Sequence, residues 1–432
     1  MSFQAGLSGL NASSKALDVV GNNVANSSTV GFKSASAHFG DLYAASLTGS
    51  GASQIGIGTA LNTVVQQFTQ GNITTTSNTL DLAINGGGFF KVTNGTSVSY
   101  TRNGQFHTDS KGYVINDNGY KLEGYIATAT GEIVASEPAA IQIDTGNISP
   151  LATGNATGGD ATLKLNLNSS KSTPTVTTFD STNPLSYTYS TSMTTYDTLG
   201  VEHAIRYYFI KGDTDTTTGL TSWTVHATLD GDSATDTTMG TLDFDSSGLL
   251  SSVTDSGGAS TTTGVLALPS TWDITTGATT PLGSGLPNWN VDFSGSTSYS
   301  GESTVNAMTQ GGYAQGQLSS LTVSDDGTIQ GNYSNGQTKT LAQVVLSTFA
   351  NPNGLSSIGN NLYTSTPASG QGLDSVPGAG TRGLLQSSAV EESNVDLTQE
   401  LVNMITLQRN YQANAQSIKT QDQIMQTLVN LR

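Results

Sequence analysis

The sequence predicts a mainly β chain with paired α-helical, coiled-coil-like termini, and with nested, discontinuous β domains built from both halves of the chain. Three observations carry this expectation. Apolar residues recur at a seven-residue step at both ends of the 432-residue chain. Short alternating runs punctuated by Gly, Asn and Asp fill the middle. Residues from about 150 to 300 are richer still in Thr, Ser, Gly and Asp, so one β domain is read as inserted into another.

The first element runs from Ser2 to about Asn26. Phe3, Leu10, Leu17 and Val24 keep the heptad step and Leu7 occupies the intervening position, which is the pattern of an amphipathic helix. The run GNNVANSSTVG should end it, because Asn and Gly tolerate the left-handed backbone that stops helices. From about Thr59 to Ser365 the pattern becomes strand-like, with VSYTRNGQF, GYVINDNGYKLEGYIA and LTVSDDGTIQGNYSNG as clear examples. YTYSTSMTTYDTLGVEHAIRYYFIKGD reads as two strands joined at a DTLG turn. From Val395 to the end, Leu397, Met404, Tyr411, Ile418 and Met425 restore the heptad step, and Leu401, Ala415 and Val429 fill a second seam. Asp396 followed by Gln399 makes a capping box, with Glu400 in the positive first turn.

Composition narrows the function. With 15 Lys+Arg against 32 Asp+Glu the net charge is −17, which repels phosphate backbones and anionic lipid surfaces, and no segment approaches the apolar length of a membrane span, so neither nucleic acid nor membrane insertion is expected. The chain has no Cys, which removes disulfides, zinc-thiolate sites and Cys nucleophiles together. The opening lacks a basic n-region and a continuous apolar h-region, so export by the general secretory route is not expected. His38, His107, His203 and His226 show no metal-binding spacing. Gly378, Gly380 and Gly383 form a GxGxxG that follows Pro377 and a loop instead of a strand, and is better read as a flexible connection. Asp243, Asp245 and Gly248 resemble the start of a calcium loop, but Thr254 stands where a bidentate Glu is needed, so a turn between strands is the better reading. No catalytic residue, cofactor or metal is expected.

The C-terminal helix carries few charges on its polar face, which instead presents Asn403, Asn410, Gln412, Asn414, Gln416, Gln421, Gln423, Gln426 and Asn430. Neutral amides can hydrogen-bond to copies of themselves without repulsion, which suits packing of like with like.

The segment LDVVGNNVANSSTVGFKSASAHFGDLY resembles the signature of the axial proteins of the bacterial flagellum, through Asn22, Asn23, Ala25, Asn26, Thr29, Gly31, Phe32 and Lys33. The C-terminal run resembles the matching helix of that family through Ser393, Asn394, Val395, Asp396, Leu397, Arg409 and Tyr411. Within the family, GNYSNGQTKTLAQVVLSTFANPNGL and the DTLG hairpin resemble hook protein. The resemblance implies a structural subunit that polymerises into the hook, a flexible tubular universal joint transmitting torque from rod to filament. It also implies type III export without a cleaved signal, an extracellular place in the flagellum, and contacts with itself, a distal rod protein, a hook cap protein and a hook-filament junction protein. The nested division expected is 1–30 with 393–432 in the tube wall, 31–70 with 366–392 connecting, 71–148 with 305–365 as inner β domain, and 149–304 as outer β domain. A polymerisation seam is expected from Phe3, Leu7, Leu10, Leu17 and Val24 against Leu397, Leu401, Met404, Tyr411, Ile418 and Met425. The rival readings are a distal-rod or hook-associated axial protein, a secreted β-rich adhesin, and a polysaccharide-active enzyme.

Overall fold

The computed structural model describes residues 3–43, 56–154, 161–268 and 290–430. Helix α1 spans Phe3–Ala25 and helix α2 spans Leu397–Asn430. At 1.5 Å per residue, the 34 residues of α2 extend about 50 Å. The start of α2 follows from its cap: Asp396 accepts hydrogen bonds from the amides of Thr398 at 2.9 Å and Gln399 at 3.1 Å. The capping box is only half formed, because the Gln399 side chain bonds forward to Asn403 at 3.2 Å. The end of α1 falls in the Asn-rich run, where the Asn26 side chain donates to the Asn22 carbonyl at 2.9 Å.

The chain forms two compact units. The first comprises 1–145, 320–332 and 338–432; the second comprises 146–319 and 333–337. Both ends of the chain thus lie in the first unit, and strand Thr304–Thr309 belongs to the second, where it pairs with Ala161–Asn166.

In the first unit, strands β1 (Ala35–Tyr43) and β2 (Gly56–Gln66) form a long hairpin against α1. Strands β3 (Ile73–Thr75) and β4 (Leu82–Asn85) then pair with Ala389–Glu391 and Leu384–Ser387, returning from the far end of the sequence. Strand β5 (Phe89–Thr93) joins Val98–Thr101 and Lys121–Ile126 in a large sheet that also receives Thr338–Val344. Its core includes a group of edge-on rings: Tyr100 and Phe349 lie 4.7 Å apart, and Phe68 and Phe89 5.2 Å apart.

In the second unit, a six-stranded antiparallel meander and a four-stranded sheet close over one core. The alternation read from the sequence is what buries it: along Ala161–Asn166 every second residue is inside. Trp223, Tyr207, Phe209, Phe244 and Phe293 are fully buried there. The DTLG turn joins the strands Tyr189–Tyr196 and Glu202–Thr214, with Asp197 accepting from the amides of Leu199 and Val201 at 2.8 Å each. Asp245 closes the turn after Thr237–Phe244 in the same way, bonding the amides of Ser247 and Leu249.

Candidate assembly surface and its anchor

The Asn-rich motif after α1 is a structural node. Asn23 is buried, donates to the Ala35 carbonyl at 2.9 Å and accepts from the Ala35 amide at 2.9 Å, mimicking a strand neighbour. Its amide also reaches Glu400 of α2 at 3.1 Å. Asn22 and Asn26 bond each other at 3.0 Å, and Thr29 donates to Asn26 at 3.2 Å, which holds the turn. Asn394 performs a similar task from the other end of the chain, accepting from the Ser34 amide at 2.7 Å and donating to the Gln67 carbonyl at 2.7 Å.

Behind this node lies a buried ion cluster. Lys33 and Glu391 have fully buried side chains and meet at 2.7 Å. Lys33 also donates to the Thr69 carbonyl at 2.7 Å. The second oxygen of Glu391 takes Arg102 at 3.2 Å, and the first also accepts the Gly71 amide at 2.8 Å. Arg102 donates on to the Gly86 carbonyl at 2.8 Å and lies over the Phe89 ring. Burial pulls the Lys33 ammonium below its ordinary value, opposed by Glu391 and abetted by Arg102. Burial likewise lowers Arg102 against the pull of Glu391. One carboxylate thus holds two cations in a dry site.

Gly31 and Phe32 lead into Lys33. Gly31 has φ +71, and its amide donates to the Glu391 carbonyl at 2.7 Å. A Cβ there would stand 2.5 Å from the Asn103 amide nitrogen. Gly31→Ala is therefore expected to destabilise the first unit by about 1–3 kcal/mol from the backbone conformation alone, before any clash is counted. A urea titration followed by circular dichroism checks it; an unchanged midpoint would contradict the close approach.

Within the chain, the contact between α1 and α2 is built on small residues. The face of α1 turned inward consists of Gly6, Ser13, Ala16, Val20 and Asn23. Opposite Gly6 stands Ile418 and opposite Gly9 stands Asn414, at 3.1 and 2.9 Å from where a Cβ would sit. Small residues allow this approach. Phe3 and Leu7 are 53% and 44% exposed, while Leu10, Leu17 and Val24 are half-buried. On α2, Leu397, Leu401, Tyr411 and Met425 are exposed; Met404 and Ile418 are half-buried. Ile418, one of the predicted residues, packs against α1 at Gly6. The amides of Asn403, Asn410 and Asn414, part of the polar face read from the sequence, line the cleft beside α1. Heptad spacing identifies a stripe that wants burial, but leaves its partner unspecified.

Glu391, Arg102 and Asn361, whose side chain donates to the Val30 carbonyl at 2.9 Å, were not legible in the sequence. Glu391 lies 358 positions from Lys33, and no local pattern connects them.

Four family models match segments in order along the chain. A flagella basal body rod protein model matches 3–33, and a flagellar hook protein FlgE/F/G D1 domain model matches 83–157. A flagellar basal body protein FlaE D2 domain model matches 165–313, and a flagellar basal body rod FlgEFG protein C-terminal model matches 386–431. The chain is 41% identical over 435 residues to the flagellar hook protein FlgE of Escherichia coli (strain K12), with 100% of each chain covered. The chain belongs to the flagellar hook protein FlgE family. The hook protein of Salmonella typhimurium is 40% identical over 439 residues, again with full coverage of both. The hook protein of Borreliella burgdorferi is 30% identical, covering 100% of this chain and 99% of its own. Among solved structures, the Helicobacter pylori flagellar hook protein FlgE2 superimposes with a TM-score of 0.52 at 14% identity, over 74% of this chain and 100% of that one, a likeness of fold. Of the ion cluster, Lys33 ends the 3–33 match, Glu391 lies in the 386–431 match and Arg102 in the 83–157 match.

Proposed function

We propose that this chain is the structural subunit of the bacterial flagellar hook, polymerising into a flexible tube that carries torque from rod to filament, without catalysis. The observation that carries the reading is co-extension: relatives named as hook proteins match from end to end at about two residues in five. Rod-family models match the two ends, which favours some kinship with rod subunits, but the full-length match lies with hook proteins.

The physical features agree with a subunit that is completed by its neighbours. A long helix with Leu397, Leu401, Val402, Ile405, Tyr411, Ile424 and Met425 exposed is poorly adapted to remaining alone in water. In this reading those positions, with Phe3, Leu7, Leu10, Leu17, Val24, Met404 and Ile418, form a polymerisation seam between copies. The Asn23 and Asn394 bonds and the Lys33–Glu391–Arg102 cluster would fix the helices to the β body, so that load passes through each subunit. The proposed route to the outside is export through the flagellar type III apparatus without a cleaved signal. The proposed neighbours are the distal rod protein, the hook cap protein and the hook-filament junction protein.

Electron microscopy of basal bodies from a strain lacking the gene tests the reading. Complete rods ending without a hook, regained on complementation, are the expected result. Intact hooks would reject it, and truncated rods would favour a rod subunit.

A further inference from the structure

A groove runs along α1 between the β1–β2 hairpin and α2. It consists of two adjoining cavities of about 410 and 350 Å³ that share Ala16, Phe39 and Leu407. Gly9 and Ala12 lie in its floor at one end, and Asn410 forms part of the α2 wall. The far end is reached at Val20 and Glu400, the one charged side chain lining it among the described residues. Measured along α1 from Gly9 to Val20 the groove is about 16 Å long.

We propose that this groove receives the first three turns of α1 from a second copy of the chain. The inference rests on the hook-subunit reading and names a contact within that polymer. Charge selects the occupant. From Phe3 to Ser14 the chain carries no charged side chain, and the next residue begins the exposed Lys15–Asp18 pair. The outer face of α2 is a worse fit, because Arg409, Lys419 and Asp422 interrupt it and would be desolvated in a groove whose charged lining is Glu400, which repels Asp422 and can pair with at most one of the two cations. Length agrees: the neutral stretch also measures about 16 Å.

Geometry makes the contact propagate. Leu7 lies two residues from Gly9, roughly 200° around the helix, so the apolar face of α1 points away from its own groove. Phe3 and Leu7 are exposed on that face. A knob on one face and a hole on another give a head-to-tail contact, which builds open helical filaments when it does not close.

The absence of Cys from the chain permits a direct test. Leu7 lies near the middle of the neutral stretch and Asn410 beside the middle of the groove, so the pair reports either direction of docking. Hooks are isolated from cells that express Leu7→Cys and Asn410→Cys chains together and are mildly oxidised. A disulfide-linked dimer containing one of each chain, absent from hooks of either variant alone, is expected. Hooks that form without this mixed dimer would overturn the groove assignment while leaving the hook reading intact. A chain that forms no hook even without substitution would instead sink the hook reading. If the Cys variants do not assemble, Ala12→Phe decides: it fills the floor from within and should abolish hooks while the purified chain keeps its circular dichroism spectrum. Normal hooks from Ala12→Phe would overturn the proposal.

Discussion

Glu391→Ala is expected to unfold the first unit at markedly lower denaturant while leaving the second unit unchanged. The substitution leaves Lys33 and Arg102 buried without their carboxylate, and removing one partner from a buried ion cluster costs about 3–5 kcal/mol. Domain stabilities are on the order of 5–15 kcal/mol, so this is a large fraction of the whole. The two units can be followed separately. Trp223 is buried in the second unit, and Trp272 and Trp289 fall in its sequence range, so tryptophan fluorescence follows that unit. Hydrogen exchange at the amides of Leu82–Asn85 and Ala389–Glu391 follows the first. Faster exchange with an unchanged fluorescence transition is the expected pair of results. Protection equal to that of the parent chain would show that the cluster contributes little. Replacing all three partners, as Lys33→Met, Arg102→Met and Glu391→Leu, should recover much of the loss, because no charge is then left unpaired.

Leu401→Asp is expected to leave the lone chain folded and to prevent hook formation. Leu401 is 44% exposed on α2, and exposed substitutions usually change stability by about 0.5 kcal/mol or less. In the proposed tube the same position faces a neighbouring copy, where an unpaired carboxylate costs several kcal/mol, repeated in every subunit. Monomer melting compared with electron microscopy of basal bodies separates the two effects. Hooks of ordinary length from the Leu401→Asp chain would show that this stripe does not lie at an interface between copies. An equivalent loss in monomer stability would instead mean that Leu401 matters within the chain.

Local order was legible because it is written in local spacing. The seven-residue step predicted both helices and their limits to within a few residues, and Asp396 gave the start of α2. Alternation gave the strands on either side of the DTLG turn, and the side chain of Asp197 gave the turn itself. Membership of the flagellar axial family was legible from the terminal motifs. What those motifs do was not: Asn23, Gly31 and Lys33 could be named, yet their partners Ala35, Asn103 and Glu391 lie at separations that no helical or strand period reaches.

The sequence by itself determined where each helix and hairpin forms, because backbone conformation and the amphipathic stripe depend on neighbours a few positions away. Only the tertiary structure decided which face of α1 meets α2. The apolar stripe advertises burial without naming a partner, whereas Gly6 and Gly9 permit an approach that larger side chains would block. It also decided that residues 305–319 join the second unit, since strand pairing binds Thr304–Thr309 to Ala161–Asn166 across the intervening chain. The same holds for the ion cluster: a carboxylate can hold two cations in a dry interior only once the fold has brought Lys33, Arg102 and Glu391 within hydrogen-bonding distance.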